Sequence, residues 1–344
     1  MKKVLVVLVV ALWAFAGAAQ AADWQFYGSA RVNTFMIDKS KAGEDSTRFD
    51  QKLLSTSRIG ARVKVSDTLT GRFEYGSPNG NANIRILWAQ WDFGAGKLGV
   101  GQTYTPLNMF YSNQVYDNDT MLLLYGGVYS ARQAQIKLKF GNFQISAVEP
   151  NDDFTDNGPA GTTTENRFPT IEAKYRFTGQ NWHVQVAGGY NTFDVKSGGN
   201  SYGVDSYVAA VGGELILGPA YLRGNLFAGQ NAGNLIWLDY DGAGALDGVA
   251  EFDGTGILDQ DNVGCLAVAG YKLNDLVTLQ AGYGYTNGDQ DRTGIEDDVT
   301  SYYIQAAFTP AAGIRIVPEI GVIDYLDDAQ GDVRYYGVRW QIAF

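Results

Sequence analysis

The chain has 344 residues, with 26 basic and 37 acidic side chains for a formal charge of −11, 43 glycines, 21 tyrosines and one cysteine. Such an acidic balance excludes nucleic acid as a natural partner, since a phosphate backbone is held by neutralising Lys and Arg. The single Cys265 excludes an intramolecular disulfide, and nothing beyond the first residues approaches the roughly 20 apolar residues of a membrane-spanning helix.

At the start, Lys2 and Lys3 precede an apolar run from Val4 to Ala16 and a small-x-small triplet, Ala19-Gln20-Ala21. These features predict an export signal over 1–22 and a mature domain over 23–344. Its removal takes two lysines, leaving 24 basic against 37 acidic residues, a charge of −13. From Trp24 to Ile37 the residues alternate: Trp24, Phe26, Gly28, Ala30 and Val32 fall on one face, and Gln25, Tyr27, Ser29, Arg31 and Asn33 on the other. One face suits hydrocarbon and the other water, the mark of a strand in a membrane barrel.

The pattern recurs in Leu53–Val65, where Arg58, Arg62 and Lys64 share the polar face, and then near 69–77, 84–93, 97–105, 133–141 and 142–150. It continues in Thr170–Thr178 and near 182–195, 204–217, 220–230, 262–273, 276–286, 299–309 and 314–325, and closes with Tyr335–Phe344. There Tyr336, Val338, Trp340, Ile342 and Phe344 oppose Tyr335, Gly337, Arg339, Gln341 and Ala343. The reading is all-β: a transmembrane antiparallel barrel of sixteen strands, an even number that puts both termini on one side. Tight turns such as Ser66-Asp67-Thr68, Gly94-Ala95-Gly96 and Gly218-Pro219 alternate with long connections at 106–132, 151–168, 231–261 and 287–298. About sixteen strands enclose more lumen than wall side chains fill, so the segment Pro106–Arg132 is expected to narrow it.

Other motifs read blandly. His183, the only histidine, lies within an alternating strand, and neither a Gly-x-Ser-x-Gly elbow nor a His-Glu-x-x-His metal motif occurs, so no enzyme is expected. Gly94-Ala95-Gly96-Lys97 is a tight turn rather than a phosphate cradle, and Cys265 alternates onto the apolar face. Asn287, Asp289, Asp291 and Asp298 match four positions of a Ca²⁺ loop, but Arg292 stands where glycine is required, so no cofactor is expected beyond divalent cations bound loosely at acidic loops. Trp24, Trp91, Phe93, Tyr175, Phe177, Tyr283, Tyr285 and Trp340 read as interfacial girdles.

The opening Phe26-Tyr27-Gly28-Ser29-Ala30-Arg31, the following Ser57-Arg58-Ile59-Gly60-Ala61-Arg62 and Gly71-Arg72-Phe73-Glu74-Tyr75, and the terminal Phe344 together resemble the Gram-negative general porin family. The resemblance implies an outer-membrane homotrimer whose barrels carry short periplasmic turns, long external loops and a third loop folded into the lumen. It implies passive diffusion of small hydrophilic solutes and ions, in contact with lipid and lipopolysaccharide, with Phe344 read by the barrel-insertion machinery. Carried onto this chain, Asp117 and Asp119 of loop 106–132 face a basic wall of Arg31, Arg58, Arg62 and Arg72 across the constriction. The plainer alternative pairs these arginines with acids such as Glu74. A substrate-selective channel and an adhesive barrel acting through its loops are the competing functions. Asp239, Asp241, Asp247, Glu251, Asp253, Asp259 and Asp261 crowd one loop, which predicts a weak cation preference at low salt.

Overall fold

The computed structural model describes residues 22–344 apart from 42–43, 78–80, 120, 241–245, 292 and 327–330. The expected signal segment, save Ala22, lies outside the described residues, as do Asp241 and Arg292.

Sixteen strands form the wall. They are β1 (Asp23–Lys41), β2 in two pieces (Glu44–Leu53 and Arg58–Lys64), β3 (Leu69–Gly76), β4 (Asn83–Asp92) and β5 (Lys97–Tyr104). Next come β6 (Arg132–Phe140), β7 (Phe143–Val148), β8 (Thr170–Thr178), β9 (Trp182–Ser197), β10 (Asn200–Leu217) and β11 (Ala220–Gln230). Last are β12 (Gln260–Lys272), β13 (Val277–Gln290), β14 (Glu296–Ala311), β15 (Ile314–Asp324) and β16 (Asp332–Ala343). Each pairs antiparallel with its neighbours in the chain, and β16 closes on β1 from Ser29↔Ala343 to Ser40↔Asp332. Closure leaves the wall no free edge.

The alternation read from the sequence is the alternation of faces. Phe26 is 75 % exposed and Trp340 48 %, whereas Asn33 and Tyr335 of the same strands are buried. Two departures have local causes. The strand expected from Leu53 begins at Glu44 and breaks at 54–57, where four residues of β2 span the two of β1 between Ser29 and Val32. The excess is even, so each side chain keeps its face; Arg31 holds the break through its N–H to Ser57 Oγ at 3.0 Å and its C=O from the Leu54 N–H at 2.9 Å. In β4, Glu74↔Ile86 is followed by Tyr75↔Ile84, so Arg85 is an extra, bulged residue.

One end of the barrel carries the short turns, including 65–68, 93–96, 179–181 and 218–219, and the other carries the long connections 105–131, 149–169 and 231–259. The connection expected over 287–298 is instead mostly strand, with Asp289 paired to Glu296. Gly198 and Gly199, at φ 58° and 82°, turn β9 straight into β10, because glycine reaches the left-handed region a tight hairpin needs. Within the long connections, Thr155–Asp156, Glu251–Phe252 and Ile257–Leu258 form a small sheet above a core of Phe193, Val195, Val204, Ala250 and Phe252.

Candidate functional site

The connection 105–131 turns into the lumen, as its length and position lead one to expect. Its neck is pinned where Met109 pairs with Val128 and the Asn108 side-chain amide donates to Ser130 Oγ at 2.7 Å. From there it follows the inner wall. The Leu107 N–H donates to Glu172 of β8 at 2.9 Å, and the Tyr111 ring stacks on His183 of β9 at 5.7 Å. The N–H groups of Val115 and Tyr116 donate to the two oxygens of Glu319 on β15 at 2.8 and 2.9 Å, and Tyr116 lies flat on Tyr335 of β16 at 3.7 Å. The Asn33 amide on β1 donates to the carbonyls of Val115 and Asp117.

The inner face of β1, β15 and β16 turns apolar at this height, with Phe35, Ile37, Val317, Ile323 and Tyr335 packed against Val115 and Tyr116. An inward face that stops being polar marks where the loop docks. The loop then crosses to the opposite wall through α1 (Met121–Leu124). At that wall the Asn225 amide donates to the Gly126 carbonyl at 2.7 Å, and a Cβ on Gly284 of β13 would stand 1.9 Å from the Tyr125 carbonyl. Burial pushes the Tyr111 phenol up to about 12 and holds those of Tyr116 and Tyr125 above their ordinary value. These phenols therefore remain neutral near pH 7.

The loop leaves an opening of about 620 Å³ against the wall. Lining it are Arg31, Arg58, Arg85, Arg132, Arg315 and Arg339, the loop acids Asp117 and Asp119, and Ser112, Asn113 and Gln114. Asp119 does not face the arginines across a gap. It touches them, pairing with Arg31 at 2.7 Å and also with Arg339, while Asp117 pairs with Lys52 at 3.0 Å. Both aspartates hold the left-handed backbone, φ 50° and 67°, and the Asn118 side chain between them accepts from Ser55 at 2.9 Å. The loop acids thus sit on the basic wall and offset part of it.

Arg62 and Arg72 do not line the opening. Arg72 folds back on its own wall, donating to Glu74 and to the Tyr27 hydroxyl at 2.9 and 2.8 Å, and Arg62 stands in register beside it. Glu74 is buried at the centre of this wall, accepting from Arg85 at 2.9 Å with Arg58 at 3.5 Å. Alternation assigns a face but not a depth, so it cannot separate Arg58 from Arg62. It also misplaces Arg85, which the bulge turns inward, whereas Arg315 and Arg339 lie on inward positions of their strands and were legible.

His183 lies in the lumen beside Glu214 of β10 at 3.8 Å and within 3.2 Å of the Tyr111 hydroxyl. Cys265 is a free thiol. Among the described residues no group of three or more His, Cys, Asp or Glu side chains is placed to hold a metal ion; Asn287 and Asp298 are cross-strand partners rather than loop ligands.

The family model of the Gram-negative porins matches residues 6–327. No curated protein sequence matches the chain. Among solved structures the chain is similar to the outer membrane channel DcaP of Acinetobacter baumannii, with a TM-score of 0.76 at 16 % identity over 95 % of this chain and 98 % of that one. It is similar also to the anion-selective porin from Comamonas acidovorans, at 0.65 and 14 % identity over 94 % and 100 %. OmpT of Vibrio cholerae in its trimer form gives 0.62 and 19 % identity over 94 % and 100 %. At such identities these likenesses establish the shared barrel.

Proposed function

The chain belongs to the Gram-negative porin family, and from that premise we propose that its channel passes small hydrophilic anions in preference to cations. As a porin it is an outer-membrane protein whose water-filled barrel lets small solutes diffuse passively. The short turns then face the periplasm and the long connections the exterior. Family and fold are those of channels rather than enzymes.

One observation carries the preference: among the described residues six arginines line the opening, against Asp117, Asp119 and, behind Arg58 and Arg85, the buried Glu74. Positive charge is in excess around this opening, where low-dielectric walls focus the field on a passing ion. The acidic external loops act in the opposite sense, but Asp247 and Asp253 are exposed to water, where a Debye length of about 8 Å at physiological ionic strength screens them, and Asp239, nearer the inward loop, accepts from the Tyr125 hydroxyl at 2.9 Å. The loop acids are expected to lower the anion flux at low salt without setting its sign. That differs from the cation preference read from loop composition alone.

Planar-bilayer recording under a KCl gradient separates the two readings. A reversal potential of the chloride-selective sign is expected, and a joint Arg132→Gln and Arg315→Gln change is expected to move it toward zero. A potassium-selective sign in the unaltered protein overturns the proposal. Assembly as a homotrimer is part of the same reading, supported by family membership and by the trimer form of the Vibrio protein; closure in three equal steps in the same records is its expected sign.

A further inference from the structure

We infer that the constriction carries a binding subsite for planar aromatic carboxylates, built from a ladder of four rings beside the arginines. The inference rests on the anion-passing reading above and names the class of anion the site prefers.

The ladder draws on three parts of the chain. Tyr104 ends β5, Phe110 and Tyr129 belong to the two limbs of the inward loop, and Trp237 comes from the external connection 231–259. The rings meet edge to face in succession: Tyr104–Phe110 at 4.8 Å, Phe110–Tyr129 at 5.8 Å and Tyr129–Trp237 at 5.4 Å. Trp237 is fixed from its own backbone, whose N–H donates to the Tyr129 carbonyl at 2.8 Å. A second external connection thus bends inward to add its ring.

Two rungs are left uncovered. Phe110 and Trp237 line the opening, and each is 49 % exposed. Elsewhere in the lumen the inward loop covers apolar wall, as it does over Phe35 and Val317. Bare apolar ring surface facing water is unfavourable, and here it borders a cationic group. The Arg132 guanidinium sits 5.3 Å over the Tyr104 ring and donates to its hydroxyl at 2.9 Å. A flat aromatic ring stacked on Phe110 or Trp237 places a carboxylate within reach of the arginines, where planar guanidinium forks match its two oxygens. Aromatic rails also suit neutral sugars, but arginines lining this opening favour a ligand that carries negative charge.

The test is block of chloride current through the full-length purified protein in planar bilayers. Acetate, cyclohexanecarboxylate, benzoate, terephthalate and maltose are compared at matched ionic strength. Benzoate and terephthalate are expected to block at concentrations about tenfold below those needed for acetate and cyclohexanecarboxylate, the advantage of one good ring contact. Trp237→Ala and Phe110→Ala are each expected to remove most of that advantage, while Trp91→Ala, on the outer face, retains it. Variants enter the comparison once they show the slow gel migration of a folded barrel.

Equal block by benzoate and acetate in a chloride-selective channel overturns the subsite and leaves the anion reading standing. A potassium-selective reversal potential overturns the anion reading itself. Block by maltose without block by benzoate also overturns the subsite, in favour of a rail for neutral sugars.

Discussion

Glu319 sits on an inward position of β15 with almost no exposure, and its two oxygens accept the N–H groups of Val115 and Tyr116, chain positions more than two hundred residues away. Replacing it by Ala removes both acceptors and leaves two buried donors unmet, at about 1–3 kcal/mol each. The inward loop is then expected to leave that wall, so Glu319→Ala channels show larger and noisier open currents, with Glu319→Gln intermediate because one acceptor oxygen remains. Open-channel noise equal to that of the unaltered protein in Glu319→Ala sinks this anchoring role. The sequence shows Glu319 only as one more acid on a polar face, because the N–H groups it meets are supplied by tertiary contact. The same limit explains the arginines: Arg58, Arg62 and Arg72 share one pattern, yet Arg72 turns to Glu74 and Arg58 to the opening.

At the scale of elements, strand existence was legible because lipid on one side and water on the other force period two along every wall segment. Length was less so. The external ends of β1 and β13 continue past the apolar band as polar hairpins, where alternation between apolar and polar fades. Loop docking left a trace in the sequence, the inward Phe35 and Ile37, and a second in the inward glycines opposite. At Gly284 any side chain meets the Tyr125 carbonyl, since even a Cβ would stand 1.9 Å away. Gly284→Val favours the strand by propensity, so the barrel is expected to fold, but the tip of the loop has to shift toward the arginine wall. The expected result is a fall in single-channel conductance, opposite in sign to the effect of Glu319→Ala. Unchanged conductance in Gly284→Val rules out this seat.

For the whole molecule, closure decides whether the wall exists at all, because every backbone group at membrane depth needs a partner within the protein. The seam between β16 and β1 supplies them from Ser29↔Ala343 to Ser40↔Asp332. Phe344 extends it by one rung, its C=O accepting from the Gly28 N–H at 2.7 Å and its N–H donating to the Gly28 C=O at 3.0 Å. Its ring lies on the outer face at 75 % exposure, over the space a Gly28 side chain would occupy. Deleting Phe344 removes one rung at the periplasmic rim, where water replaces the lost partners, and leaves the rest of the seam in place. The equilibrium cost is therefore small, near the roughly 0.5–1.5 kcal/mol net of each hydrogen bond. If the residue matters chiefly to the machinery that inserts barrels, the loss appears only where that machinery acts. The deletion is accordingly expected to cut the amount of folded protein reaching the outer membrane in cells several-fold. Refolding of the purified chain into detergent micelles, and the conductance of channels that do form, are expected to stay close to those of the full chain. Equal loss in cells and in micelles assigns Phe344 to seam stability instead, and no loss in cells removes its role in assembly.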